Sequence, residues 1–156
     1  MIRIRPVFRL GGMDVTLRPA VRADIEWLVD LRADVLRVDL ERLGRFDEHR
    51  VRERMRAGFR PEWTRIIVVA GTDAGCITTR PDGATRWIEH FYLPVSVQGR
   101  GIGSTVLRSV ISQPHDGPTR LNVLQGSAAR RLYERHGFTL DSEDDVDVWL
   151  TLGAEA

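Results

Sequence analysis

Three glycines at alternate positions, Gly99, Gly101 and Gly103, stand between a strand-like stretch and a helix-like one. That spacing lets the backbone take left-handed dihedrals and approach a ligand with no Cβ in the way. Upstream, Trp87 to Leu93 (WIEHFYL) is aromatic and branched and predicts a strand. Pro94 has no N–H to give to a ladder, so regular pairing is expected to stop or deform there. Downstream, Val106, Leu107, Val110 and Ile111 recur on one helical face. A glycine loop opening a helix presents main-chain N–H groups and the positive end of the helix dipole, which is a site for phosphate oxygens. The spacing is G-x-G-x-G, not the G-x-G-x-x-G of a dinucleotide fold, and it lies past mid-chain. A Walker loop needs a lysine, and all 23 basic residues here are arginine. The same absence excludes Schiff-base chemistry.

The elements that must position this loop are legible from periodicity. The chain of 156 residues reads as one domain over 1–156, with 1–12 a short basic lead-in and Met13 a second candidate start. Val15 to Arg18 predicts an edge strand. A helix from about Asp24 to Arg42 buries Ile25, Leu28, Leu31, Val35 and Leu36. A second, from about Asp47, buries Val51, Met55 and Phe59 and stops at Pro61. Ile66 to Ala70 is a continuous apolar run, as in a strand covered on both faces. Gly75 to Arg80 is its hairpin partner, and Pro81-Asp82-Gly83 turns into the strand at Trp87. Thr119 to Leu124 predicts a strand, Ala128 to His136 a helix capped by Gly137, and Val146 to Leu152 a final alternating strand. The order β-α-α-β-β-β-α-β-α-β fits one mixed sheet with helices on both faces.

Composition narrows the function classes. A formal net charge of +1 gives no global field for nucleic acid. Cys76 is the one cysteine, so neither a disulfide framework nor a thiolate metal cluster is expected. No run reaches the length of a membrane span, and the N-terminus lacks a signal peptide's apolar stretch, so a cytoplasmic protein without membrane partners is the expectation. The arginines at positions 50, 52, 54 and 56 read as the wet face of a helix. The acidic run Asp141 to Asp147 reads as a solvated turn that could also attract a cationic amine.

Gln98-Gly99-Arg100-Gly101-Ile102-Gly103 resembles the Q/R-x-x-G-x-G/A signature of the GCN5-related N-acetyltransferases, the GNAT family. Ala129 to Phe138 (ARRLYERHGF) resembles the tyrosine-bearing helix that follows the next strand in that family, and the two blocks occur in the family's order. The resemblance covers Trp87 to Phe138. It implies an α/β (α+β) GNAT fold: a single mixed, mostly antiparallel sheet of six to seven strands, flanked by about four helices and splayed between its central strands. It also implies a transferase that takes acetyl-CoA as co-substrate, needs no metal, and acetylates a primary amine of a small-molecule or peptide acceptor. A homodimer is compatible with it.

The resemblance also assigns roles. Backbone groups around Phe91 and Leu93 would hydrogen-bond the pantetheine arm and polarise the thioester carbonyl. Gln98, Gly99, Gly101, Ile102, Gly103 and Ser104 would form the diphosphate loop, with Arg100 adding a charge-assisted contact. Tyr133 stands where the family places a tyrosine near the thioester sulfur, and a phenol with an ordinary pKa of about 10 suits a general acid. Glu89 is the candidate base. Period-two alternation puts it on one face with Phe91 and Leu93, and His90 on the other. Asn122 is a further candidate for orienting water or acceptor, and Trp27 and Trp63 fall where acceptor walls usually lie. One departure stands out. Many members carry an asparagine just before the tyrosine helix, and here the nearest polar residue is Ser127, which can cap the helix and make one hydrogen bond. A longer acyl donor, a non-catalytic acyl-CoA sensor and a nucleotide-binding module are the alternatives.

Overall fold

The computed structural model of the chain describes residues 7–153. Branched runs become strands and 3.6-period runs become helices in the order β1 (Val7–Leu10), β2 (Met13–Pro19), α1 (Ile25–Arg42), α2 (Glu48–Gly58), β3 (Thr64–Val69), β4 (Thr72–Asp82), β5 (Thr85–Tyr92), α3 (Ile102–Ile111), β6 (Thr119–Leu124), α4 (Ala129–Arg135), β7 (Thr139–Glu143) and β8 (Asp147–Leu152). All eight strands join one sheet in the spatial order β1-β2-β3-β4-β5-β6-β8-β7. Every pair is antiparallel except β5 with β6, which α3 connects as a crossover. The two strands beyond the expected six lie at the sheet's edges. β1 forms inside the expected lead-in and folds back on β2 across Gly11 and Gly12, both at positive φ; residues 1–6 lie outside the described residues. β7 forms where a turn was expected. Its five residues are all exposed, so it carries no apolar alternation and is held by its ladder to β8.

The sheet separates two apolar layers. On one side Ile67, Val69, Ile77, Ile88, Leu121, Val148 and Leu150 pack against Ile102, Val106, Leu107 and Val110 of α3 and against Tyr133 of α4. On the other, Ile66, Cys76 and Tyr92 pack against Leu28, Val29 and Leu31 of α1 and Met55 of α2. Val51, Met55 and Phe59 are core, as expected. The second half of the α1 stripe, Val35 and Leu36, is only half-buried because it overhangs a groove rather than the sheet.

Two local features set the shape of β5. Its ladder with β4 matches Thr78 to Glu89 but Cys76 to Tyr92, so His90 and Phe91 together oppose Ile77. This is a β-bulge, with His90 in the left-handed region at φ 44°. The Cys76 thiol, buried, donates to the bulged His90 carbonyl at 3.0 Å. At the other end, β5 and β6 share only Arg86↔Thr119 and Trp87↔Arg120 before they diverge. Arg86 pins that closed end. Its Nε donates to Thr119 Oγ1 at 3.0 Å, and its Nη1 to the Val110 and Gln113 carbonyls at 3.1 and 3.2 Å. Pinned at one end and bulged toward the other, the two strands form a V.

The approach of β4 to the bulged strand requires a residue without a side chain at position 75. A Cβ on Gly75 would stand 2.2 Å from the Tyr92 carbonyl oxygen and 2.9 Å from Leu93 Cδ2. Gly75→Ala is therefore expected to cost about 2–3 kcal/mol, the upper part of the range for overpacking a filled site. Urea unfolding should show a lowered midpoint at unchanged slope; an unchanged midpoint would contradict the packing described.

Candidate active site

The divergence of β5 from β6 opens a groove of about 1420 Å³, roofed on one side by α1 and α2 and on the other by α3 and α4. Beyond Trp87 the β6-facing edge of β5 has no ladder partner, so its main-chain groups are open to an added extended segment. The groove is where most of the expected site residues converge. Glu89, Phe91, Leu93, Gln98, Gly99, Gly101, Gly103, Ser104, Ser127 and Tyr133 all line it.

The loop before α3 follows from its glycines. Gly99 and Gly101 take φ of 76° and 79°, which a residue with a side chain adopts only under strain, and a Cβ at either would meet no protein atom within 4 Å. The cradle therefore opens outward. Gly101 is the α3 cap, and the first intrahelical bond runs from Thr105 N–H to its carbonyl. That leaves the N–H groups of Ile102, Gly103 and Ser104 without helical acceptors, at the positive end of the dipole. Ile102 offers only that N–H, because its side chain is buried in the core. Gln98 shapes the loop from outside. Its Nε2 donates to the Leu93 carbonyl at 2.7 Å and ties the loop back to the end of β5. Ser104 Oγ lies 3.0 Å from His136 Nε2, while His136 Nδ1 lies 2.9 Å from the Leu132 carbonyl. A carbonyl can only accept, so Nδ1 carries the proton and the Ser104 hydroxyl donates to Nε2. Arg100 lies outside the groove lining, with Nη1 3.9 Å from Met13 Sδ.

Tyr133 projects from α4 and is buried, between Phe91 and Phe138 with ring centroids at 6.4 and 5.7 Å. Its hydroxyl makes no hydrogen bond among the described residues, although its ring lines the groove. Burial, with Tyr92 adding a smaller effect, raises its pKa well above the ordinary phenol value. The group stays neutral and keeps its proton across the physiological range. Ser127 Oγ accepts from the N–H of Ala129, the first residue of α4, at 3.2 Å, while the cap position itself is held by Ala128.

The bulge corrects the expected face of Glu89. The extra residue breaks the period of two, so Phe91 and Leu93 pack on the α3–α4 layer while Glu89, opposite Thr78, belongs to the α1–α2 side. His90 is on that side too, edge-on to Tyr92 with centroids 5.9 Å apart. Burial first, and then the Arg32 charge, push the His90 pKa down to about 4, so the imidazole is neutral. Glu89 Oε1 accepts from Arg80 Nε at 2.9 Å, and Oε2 has no hydrogen bond among the described residues. Asn122 lines the groove but donates to Asp147 Oδ1 at 3.0 Å. Trp27 and Trp63 do not line it; the Trp27 indole donates instead to Asp24 at 3.0 Å.

Some groove residues carried no signal in the sequence. Arg32 sits in α1 like any surface arginine, yet its Nε donates to Tyr92 Oη at 3.1 Å and its Nη1 to the Val51 carbonyl of α2. Arg42 reaches from the end of α1 to the Gln125 carbonyl at the end of β6, bridging the two walls. Both depend on contacts distant in sequence. Among the described residues no group of three or more metal-ligating side chains occurs, and no helix is long and apolar enough to cross a membrane.

Comparisons agree with this architecture. No curated protein matches the chain in sequence. Among solved structures, PaiA N-acetyltransferase from Thermoplasma acidophilum in complex with coenzyme A is similar at TM-score 0.70 and 17% identity, over 88% of this chain and 97% of that one. An N-acetyltransferase from Staphylococcus aureus Mu50 gives TM-score 0.68 and 17% identity over 87% and 99%. Arabidopsis thaliana Naa50, bound to the bisubstrate analogue CoA-Ac-MVNAL, gives 0.64 and 18% over 90% and 99%. At these identities the likeness is one of fold. The family is settled in sequence, since the profile described as "Acetyltransferase (GNAT) domain" matches residues 62–140, just over half of the 156. That span runs from just before β3 through the glycine loop and the tyrosine helix into the start of β7, and by it this chain belongs to the GNAT acetyltransferases.

Proposed function

We propose that this chain binds acetyl-CoA in the groove between β5 and β6 and passes the acetyl group to a primary amine by direct attack, with no acyl-enzyme intermediate. One observation carries the reading: the outward-opening amide cradle of α3 and Tyr133, whose hydroxyl has no hydrogen bond among the described residues, line a single groove. The diphosphate would lie on the main-chain N–H groups from Gly99 to Ser104. The pantetheine arm would run beside the unpaired edge of β5, past Phe91 and Leu93, as an added strand. A main-chain N–H of that edge would polarise the thioester carbonyl and meet the oxyanion.

The reaction must handle three protons. An ammonium has no lone pair, so the acceptor first loses a proton, and attack on the carbonyl carbon then gives a tetrahedral species whose nitrogen must lose another. Glu89, directly or through water, would take one of these on Oε2. Collapse breaks the C–S bond, and the departing sulfur takes up a proton from Tyr133, which recovers its own from solvent. The balance is acetyl-CoA and ammonium in, acetamide, free thiol and one proton out. The raised Tyr133 pKa keeps the proton on the phenol until the sulfur departs, but it also makes the phenol a weaker acid, so the transfer depends on close alignment with the developing thiolate.

Three variants separate the parts. Gly101→Glu places a charged side chain into the open cradle, and acetyl-CoA binding by calorimetry should vanish; unchanged affinity would remove the loop from the diphosphate site. Tyr133→Phe should lower kcat by about a hundredfold or more, the range for a general acid, with KM for acetyl-CoA little changed. In the wild type, a phenol titrating above its ordinary value puts no falling limb on the rate below a pH of about 10. Glu89→Gln should cost most near neutral pH and progressively less as the pH rises and the amine deprotonates unaided; a pH-independent loss would assign the base to water or to His90. The experiment that tests the whole reading is thiol release from acetyl-CoA across a panel of primary amines. Silence across the panel with acetyl-CoA still bound would favour a sensor.

A further inference from the structure

The groove extends past the sulfur end of the proposed cofactor path toward α1 and α2, and its charges there are unevenly matched. Of the six carboxylates that line it, two pair with an arginine, three accept only neutral N–H groups and one has no partner among the described residues. Asp39 pairs with Arg42 at 2.6 Å and Glu89 with Arg80 at 2.9 Å. Asp47 takes the Arg50 N–H as the α2 cap, Asp144 takes the N–H groups of Val146 and Asp147, and Asp147 takes the Asn122 amide. Asp34 is the exception; it is exposed and two residues from Arg32, which on a helix puts it well round the circumference from that side chain.

The arginines behave differently. On α2, Arg52 pairs with Asp30 and Glu48, and Arg56 with Glu26 and Glu53, all outside the groove. Arg50 and Arg54, which do line it, have no carboxylate within 4 Å and no side-chain hydrogen bond among the described residues. The same is true of Arg45 in the α1–α2 loop. Arg32 is the most telling. It is half-buried beside the β5 bulge, and both its recorded partners, the Tyr92 hydroxyl and the Val51 carbonyl, are neutral. A half-buried guanidinium without a counter-ion is costly unless an anion completes it. Its fork, with donors left over after those two bonds, matches a carboxylate or phosphate. Its Nε bond to Tyr92 and its charge beside His90 put it at the inner end of the groove, beside the reacting region, although burial still raises the Tyr92 pKa against that charge.

We propose that the acceptor is an amine carrying its own anionic group, held by Arg32 at the groove floor with Arg50 and Arg54 at the rim. This rests on the transfer reading above and narrows it to amino-carboxylates or amino-phosphates. Amines whose only charges are positive, polyamines and aminoglycosides among them, are then disfavoured at this end of the groove, where they would meet the guanidinium groups of Arg32, Arg45, Arg50 and Arg54.

The test compares matched pairs in the thiol-release assay: L-α-amino acids against their carboxamides, and phosphoethanolamine against ethanolamine. The anionic member of at least one pair should show kcat/KM about tenfold to a hundredfold higher, the span expected for losing one hydrogen-bonded ion pair. Whether the carboxylate or the phosphate pair responds identifies the anion. Arg32→Met should remove that preference, and Arg32→Lys should restore part of it. Because Arg32 also braces α2, the exposed double variant Arg50→Gln/Arg54→Gln provides a second measurement. It should raise KM for the anionic amine severalfold while leaving KM for its neutral partner unchanged. Neutral partners turned over as well as anionic ones would overturn this inference alone. No thiol release with any amine, with acetyl-CoA still bound, would overturn the transfer reading and this inference with it.

Discussion

The site exists because two adjacent parallel strands are allowed to pair at only two positions. A parallel ladder that continued from Trp87 would satisfy the β5 edge and close the groove; instead the pairing ends there. Each end of the V has its own cause. At the closed end Arg86 satisfies Thr119 and two carbonyls of the α3 region, and a Cβ on Gly117 would lie 1.7 Å from the Ala84 carbonyl oxygen. The strands are thus held together where the crossover returns. At the open end the bulge adds a residue to β5 and increases its local twist, carrying the strand away from β6. An unpaired sheet edge is ordinarily a liability. Here it lies inside a groove between helices, where only a narrow extended ligand can use it.

The same bulge arranges the electrostatics. It turns Phe91 and Leu93 to the α3–α4 side, where Phe91 helps bury Tyr133, and it turns Glu89, His90 and Tyr92 to the α1–α2 side. The two sides of the opening then differ in kind. One is apolar and holds a phenol that keeps its proton. The other holds a carboxylate, a neutral imidazole and a guanidinium. In the proposed reaction the proton donor and the proton acceptor must not neutralise one another, and facing them across the thickness of one strand is a simple way to keep them apart. The Cys76 thiol serves this arrangement as a donor to the bulge; burial pushes its pKa up to about 12, so it is a poor nucleophile.

Much of this was legible in the sequence, and the reasons differ by residue. The glycine loop and the Tyr133 helix could be placed because their signals are local: positive φ at Gly99 and Gly101, and a helical stripe on each flank. β7 gave no signal for an equally local reason, since an edge strand need not bury an alternating face and Thr139–Glu143 buries none, whereas β1 does alternate, with Phe8 and Leu10 against the core, and the Gly11-Gly12 pair that reads as a break is its turn into β2. The face of Glu89 was misassigned because alternation assumes a regular ladder, and nothing in WIEHFYL announces the bulge; it arises from how β4 presents Gly75 and Cys76 across the sheet. Arg32 was invisible as a groove residue for the deepest reason. Its two partners are 60 and 19 positions away, and only packing α1 against α2 and β5 turns an ordinary helical arginine into an unpaired charge.

These placements divide the groove between two halves of the chain. The cradle, the splayed strands and Tyr133 all come from the segment between β5 and α4, whereas the unpaired arginines come from α1, α2 and the loop joining them. Transfer from a thioester asks little covalent chemistry of a protein, because the acyl group is already activated; what remains is alignment of two substrates. Two separately built walls suit that task, provided they hold a fixed relation to each other. The bond from Arg42 at the end of α1 to the Gln125 carbonyl at the end of β6 supplies one such tie, and the pair from Arg32 to Val51 and Tyr92 supplies another. On the proposed reading, acceptor identity can then be written on the α1–α2 wall without disturbing the cradle on which the donor would lie.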